Sequence, residues 1–273
     1  MRLAGTLLVL IGLLGALYGL IVLAHDRVVF QPQVGRWLGL DKLGIDGEEV
    51  WLDTEDGVRL HAFWVRAPQQ TRRAILFLHG NAGNASHRLP NAQQMAALGA
   101  DVLLLDYRGY GLSEGSPTEA GVYADARAGL AHLTGPRDLP EERIVLFGRS
   151  LGGAVAIDLA RDRGLAGVIL ESTFASLSEL ADQMLPLPLG FVVRGRWSSR
   201  DKIGSVSAPL LFFHGGEDRV VPIELGRALY DAAPGPKDFH LIPRAGHNTT
   251  VEMGGRAYFE RIGSFLEQVA PSS

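Results

Sequence analysis

Ser150 stands in the run Gly148-Arg149-Ser150-Leu151-Gly152-Gly153. A serine hydroxyl is a poor nucleophile near neutral pH. It becomes a useful one beside a base that takes its proton, when that base is itself oriented by a carboxylate. Both partners follow in the chain. Asp218 lies in His214-Gly215-Gly216-Glu217-Asp218, and His247 in Ala245-Gly246-His247-Asn248. Serine, acid, histidine is the order expected when the serine sits on a sharp strand-to-helix turn and its partners come from the ends of later strands. The chemistry implied is attack on an acyl carbonyl. Glu217 and Glu171 are alternative acids, and a solvated loop is the competing reading of His247.

Gly-x-Ser-x-Gly occurs twice, and context separates the two copies. Gly111-Leu112-Ser113-Glu114-Gly115 lies in a polar stretch with no strand running into it, and reads as a loop. The copy at 148–152 follows an apolar run at 144–147 and opens a helical run at 154–160. Its tight turn requires small residues two positions either side of the serine, which Gly148 and Gly152 supply. Charge developing on the carbonyl oxygen needs fixed donors. The backbone N–H of Leu151 is one candidate. The backbone N–H of Asn81, in His79-Gly80-Asn81-Ala82-Gly83-Asn84, is the other, unless that loop merely turns the chain. The loop lacks the Lys and Ser/Thr of a phosphate-binding P-loop, and no His and carboxylate cluster has metal-ligand spacing.

These residues need a scaffold, and the apolar pattern describes one. Residues 50–53 and 59–65 flank Asp56-Gly57 as a hairpin. Apolar runs at 74–79, 101–106, 144–147, 166–170, 209–214 and 239–242 then alternate with helical stretches near 86–98, 118–133, 151–162, 224–231 and 257–269. The runs lack the alternation of half-exposed strands, as parallel strands covered on both faces do. The fold class is therefore α/β: a mostly parallel, doubly wound sheet with an antiparallel N-terminal hairpin. Residues 172–207 interrupt the rhythm and form a short cap insertion, with Leu185-Pro186-Leu187-Pro188-Leu189 and Phe191-Val192-Val193 as apolar candidates for acyl-chain contact or for plain packing on the sheet. Arg194, Arg196, Arg200 and Lys202 follow, either facing an anionic head group or forming a solvated basic face.

The chain has 273 residues, 47% of them hydrophobic, and a net charge of −4 from 26 Lys+Arg against 30 Asp+Glu. That balance offers no footprint for nucleic acid. The absence of cysteine excludes disulfides and thiolate chemistry. Residues 3–24 carry no formal charge, and a helix of that length spans about 33 Å, enough for a bilayer core. The expected organisation is a membrane anchor over 1–25, a linker over 26–47 and one domain over 48–270. A cleaved signal peptide is the rival reading of the first segment, though its apolar core is usually shorter. Basic residues flank both ends, so the side of the membrane is not determined. Gly15 and Gly19 match a small-residue helix contact; the oligomeric state is otherwise open.

The stretches at 79–84, 106–111 (Asp106-Tyr107-Arg108-Gly109-Tyr110-Gly111) and 147–153 resemble the Bem46 branch of the α/β hydrolases, in particular proteins of the alpha/beta hydrolase domain-containing protein 13 type. The likeness runs from about residue 50 to the last helix. It implies the α/β-hydrolase fold and a Ser/Asp/His hydrolase with no cofactor, Ser150, Asp218 and His247 taking the matching positions. It suggests carboxylic esters or thioesters as substrates, and the apolar cap and the tether would suit lipid-like ones. A serine peptidase and a non-catalytic membrane scaffold on the same fold are the competing readings, because fold and triad do not fix the substrate.

Overall fold

Unbroken apolar runs become strands only where both faces are covered, and the computed structural model covers them with helices. It describes residues 30–184, 190–193 and 196–271, together with Gly12, Gly15, Gly19, Asp26 and Val29. In chain order the elements are Gln31–Pro32 (β1), Leu40–Leu43 (α1), Gly47–Asp53 (β2), Arg59–Val65 (β3), Ala74–Leu78 (β4), Ala82–Gly83 (β5), Leu89–Ala96 (α2), Asp101–Leu105 (β6) and Glu119–Thr134 (α3). Then come Ile144–Arg149 (β7), Leu151–Ala160 (α4), Gly167–Glu171 (β8), Leu177–Met184 (α5), Ser199–Ile203 (α6), Leu210–Gly215 (β9), Ile223–Ala232 (α7), Lys237–Ile242 (β10) and Thr250–Val269 (α8).

Eight strands form one sheet in the order β10-β9-β8-β7-β4-β6-β3-β2. From β10 to β6 all neighbours are parallel, and β3 joins β6 and β2 antiparallel. Every residue of β4, β7, β8 and β9 is buried, which is why their sequences do not alternate. Leu130, Ile157, Ile203 and Leu225 pack on one face of the sheet. Met95, Tyr258 and Phe265 pack on the other. This is the mostly parallel sheet with an antiparallel N-terminal hairpin expected from the apolar pattern, and the α/β-hydrolase fold that the resemblance implied.

Two segments depart from the sequence reading. The last helix, expected from 257, starts at Thr250, and a kink at Gly255 (φ 51°, ψ −134°) divides it. Only glycine takes that conformation without strain, so the pattern of the second half did not reveal the first. Residues 26–47, expected as a linker, hold β1 and α1, and β1 pairs in parallel with β5. Within 172–207, Trp197 is fully buried, with its backbone N–H donating to Glu119 Oε1 at 2.8 Å and its ring edge-on to Phe30 and Tyr123. Leu185–Leu189 and Arg194 fall outside the described residues, as does the candidate anchor at 3–24 apart from three glycines. Among the described residues no helix is long and apolar enough to cross a membrane.

Candidate active site

β7 ends at Arg149 and α4 begins at Leu151, so the whole change of direction falls on Ser150. Its backbone sits at φ 52°, ψ −117°, in a region that residues with a side chain rarely enter. The contacts around it explain how the strain is held. Ser150 N–H donates to Glu171 O at 2.8 Å, and Thr173 Oγ1 donates to Ser150 O at 2.8 Å. A Cβ on Gly148 would stand 2.5 Å from Gly152 O, and one on Gly152 only 2.0 Å from Leu78 O. Neither position admits a side chain.

The structure brings the three expected residues together. Ser150 Oγ lies 3.1 Å from His247 Nε2, and His247 Nδ1 lies 2.8 Å from Asp218 Oδ2. With the proton on Nδ1, the ring donates to the carboxylate and accepts from the serine hydroxyl. Asp218 Oδ1 accepts the backbone N–H groups of Val220 and Val221 at 2.9 and 2.8 Å. Burial alone would raise the Asp218 carboxyl. The hydrogen bond and charge of His247, with the two backbone donors, outweigh burial and hold it below the usual carboxylate value. Asp218 therefore stays ionised as an acceptor. The alternative acids lie elsewhere: Glu217 is exposed, and the Glu171 carboxylate is committed to other donors.

Leu151 is the first residue of α4, so its N–H has no intrahelical acceptor. The loop carrying Asn81 passes close by, since a Cβ on Gly80 would lie 3.5 Å from Ser150 Cβ. The motif at 106–111 braces that loop. Tyr107 Oη donates to His79 O at 3.1 Å, Tyr110 Oη to Asn81 O at 2.7 Å, and Asp106 Oδ1 accepts Ala85 N–H at 2.7 Å. The second Gly-x-Ser-x-Gly belongs to the same bracing: Ser113 Oγ donates to Asp106 O and accepts His61 N–H, both at 2.8 Å. Around the cap, Arg200 pairs with Glu179 and Lys202 with Asp158, each at 2.7 Å, and Arg196 lies 4.0 Å from Glu119. These three cations face carboxylates of the protein itself.

Sequence reasoning missed the group that holds His247. Arg149, buried, donates from Nε to Glu171 Oε1 at 2.8 Å and from Nη2 to His247 O at 2.7 Å and Asn248 Oδ1 at 3.0 Å. Glu171 also accepts the hydroxyls of Thr250, at 2.8 Å, and Tyr258. One ion pair thus ties the ends of β7 and β8 to the histidine loop and α8. The available signal was the pairing of opposite charges at the ends of two adjacent parallel strands, since Arg149 and Glu171 stand in register.

A parallel sheet with a strained serine at the end of an inner strand, hydrogen-bonded to a histidine–aspartate pair, defines the α/β-hydrolase class. A model of the family described as serine aminopeptidase, S33, matches residues 69–198 and 189–254. The alpha/beta hydrolase domain-containing protein WAV2 of Arabidopsis thaliana is 37% identical over 95% of this chain and 93% of its own. Protein bem46 of Schizosaccharomyces pombe is 35% identical over 83% of this chain and 79% of its own. Among solved structures, the Pyrococcus furiosus esterase Pf2001 superposes with a TM-score of 0.72 at 25% identity, over 88% of this chain and 99% of its own. The chain belongs to the Bem46-like branch of the α/β hydrolases.

Two outcomes follow from this geometry. Arg149→Met removes the tie to the His247 carbonyl and leaves Glu171 buried without its cation. It should lower the turnover rate about 10–100-fold through misplacement of the ring and stability by about 3–5 kcal/mol. Turnover and urea unfolding of the variant check both, and wild-type values would remove Arg149 from this role. His79 contributes one part of the pH dependence. Burial, opposed only in part by Asp106 and the Gly80 carbonyl, pushes its pKa from 6.5 to about 4. Between those values the unfolded chain binds a proton that the folded one refuses, so stability falls as pH falls. Full passage costs on the order of 3 kcal/mol. Urea titrations at pH 7 and pH 4 should show that loss, and His79→Asn, which does not titrate there, should reduce it.

Proposed function

We propose that the protein is a membrane-tethered serine hydrolase that cleaves carboxylic esters or thioesters through an acyl-enzyme. His247 Nε2 takes the proton of Ser150 as Oγ attacks the acyl carbonyl. Asp218 keeps the imidazole in the required tautomer and stabilises its cationic form. The N–H groups of Leu151 and Asn81 receive the charge that develops on the carbonyl oxygen. Collapse of the tetrahedral intermediate expels the alcohol or thiol, which takes its proton from His247. Water, deprotonated by His247, then attacks the acyl-enzyme and releases the acid. The observation that carries this reading is the continuous hydrogen-bonded path from Ser150 Oγ through His247 to Asp218 Oδ2, with distances of 3.1 and 2.8 Å. A non-catalytic scaffold would have no need of this alignment or of a strained serine.

Ser150→Ala should abolish hydrolysis of activated acyl esters and covalent labelling by a fluorophosphonate, with the thermal midpoint nearly unchanged. Undiminished turnover in that variant would refute the assignment. The family description names an aminopeptidase, so peptide amides belong in the same screen. Turnover of amides in preference to matched esters and thioesters would replace esterase by peptidase while leaving the triad in place.

Residues 3–24 supply the proposed tether, a reading supported by 22 successive residues without a formal charge. The full chain expressed in cells should stay with the membrane fraction through an alkaline carbonate wash. Its release into the supernatant would argue against the anchor.

A further inference from the structure

The candidate oxyanion residue Asn81 is gripped by chain that comes from outside the sheet. Its side-chain Nδ2 donates to Val29 O at 2.9 Å. Its own carbonyl accepts the backbone N–H of Gln31 at 3.1 Å, beside the Tyr110 hydroxyl at 2.7 Å. The grip continues along the loop. Gln33 N–H donates to Gly83 O at 3.0 Å, and Asn84 Nδ2 donates to Gln33 O and Gly35 O at 3.0 and 2.7 Å. Gly111 and Gly35 close a second row, Gly111 N–H to Gln33 O at 3.0 Å and Gly35 N–H to Gly111 O at 2.7 Å. At one end Phe30, 3% exposed, packs edge-on against Trp197 at 5.7 Å. At the other, Trp37 N–H donates to Ser86 Oγ at 3.0 Å, and the indole stacks on His87 at 5.0 Å.

An amide stabilises a developing oxyanion only if it is already aimed when the charge appears. The loop at 79–84 contains two glycines, which lose more backbone freedom on being ordered than other residues do. Within the sheet domain, the Tyr107 and Tyr110 hydroxyls hold it at the His79 and Asn81 carbonyls, and the Asp106 carboxylate holds the next residue, Ala85. The N-terminal segment adds bonds on both edges of Asn81: one from its side chain and one to its carbonyl, which fixes the following peptide plane. We propose that residues 29–35 are a positioning strap for the oxyanion loop, so that the catalytic rate depends on this segment being seated. The proposal rests on the reading of Ser150 as nucleophile. It gives the stretch just beyond the candidate anchor a task at the reacting carbonyl: Val29 follows Ala24 by only five residues.

Oxyanion bonds strengthen from ground state to transition state, so a loosened strap lowers kcat and leaves KM nearly alone. A general packing defect would instead lower the unfolding midpoint or raise KM. The test uses the full chain in detergent with an activated acyl ester. Gln31→Pro deletes the N–H donated to Asn81 and should reduce kcat about 10–100-fold, with KM within about twofold. Gln31→Ala keeps that N–H and should restore the rate. Tyr110→Phe, an isosteric change that removes the other donor to the same carbonyl, should also lower kcat and decides the matter if the proline variant does not fold. Wild-type kcat in Gln31→Pro, or in Tyr110→Phe in its place, overturns the strap. So does an effect confined to KM. A wild-type protein that neither turns over the ester nor is labelled at Ser150 refutes the hydrolase reading itself, a different result from an active enzyme indifferent to its strap.

Discussion

Between the end of β4 and the first turn of α4 there is no room for a single additional carbon. A Cβ at Gly152 would lie 2.0 Å from the Leu78 carbonyl oxygen and 2.6 Å from that of His79. That approach lets the chain reverse within one residue after β7, and the reversal forces Ser150 to a positive φ. The same contact sets the Leu151 N–H and the loop after β4 on either side of the serine. Backbone strain of this kind costs about 1–3 kcal/mol and persists only where its surroundings over-determine it. Here they are the Glu171 carbonyl, the Thr173 hydroxyl and two glycines. Strain, access and donors are products of one steric condition.

A second constraint is electrostatic. The Arg149–Glu171 pair is nearly out of solvent, with side-chain exposures of 7% and 1%. Desolvating two charges is expensive, and their attraction repays it only with good geometry and satisfied remaining valences. Both conditions hold, since Glu171 takes two hydroxyl donors and Arg149 two further acceptors. The pair contributes geometry more than net stability. It is the link through which two inner strands dictate where the His247 carbonyl sits, and the Asp218 loop then meets a ring already in place.

Much of this was legible in the sequence because burial erases alternation. The central strands announced themselves as unbroken apolar runs, and Ser150, Asp218 and His247 stood at the ends of three of them in the expected order. What was not legible depended on partners far away or on backbone atoms. Arg149 and Glu171 are 22 residues apart, and their meeting follows from strand register, which a single sequence does not display. Residues 26–47 have no periodicity, and the bonds they make with the loop at 79–84 run mainly through main-chain groups on one side or the other, to which side-chain patterns are blind. The first turns of α8 lie ahead of the kink at Gly255, so the apolar spacing of the second half does not carry into them.

The sheet order places the three partners in unequal company. Ser150 hangs from β7, flanked by β4 and β8 and buried throughout. His247 follows β10, the border strand, paired on one side only and mostly part-exposed. Border strands open by local fluctuation at a fraction of the free energy needed to melt a centre. Amide hydrogens of β10 would then exchange well before those of β7. On the proposed role of His247, fraying of this border alone would silence a molecule whose core is still intact.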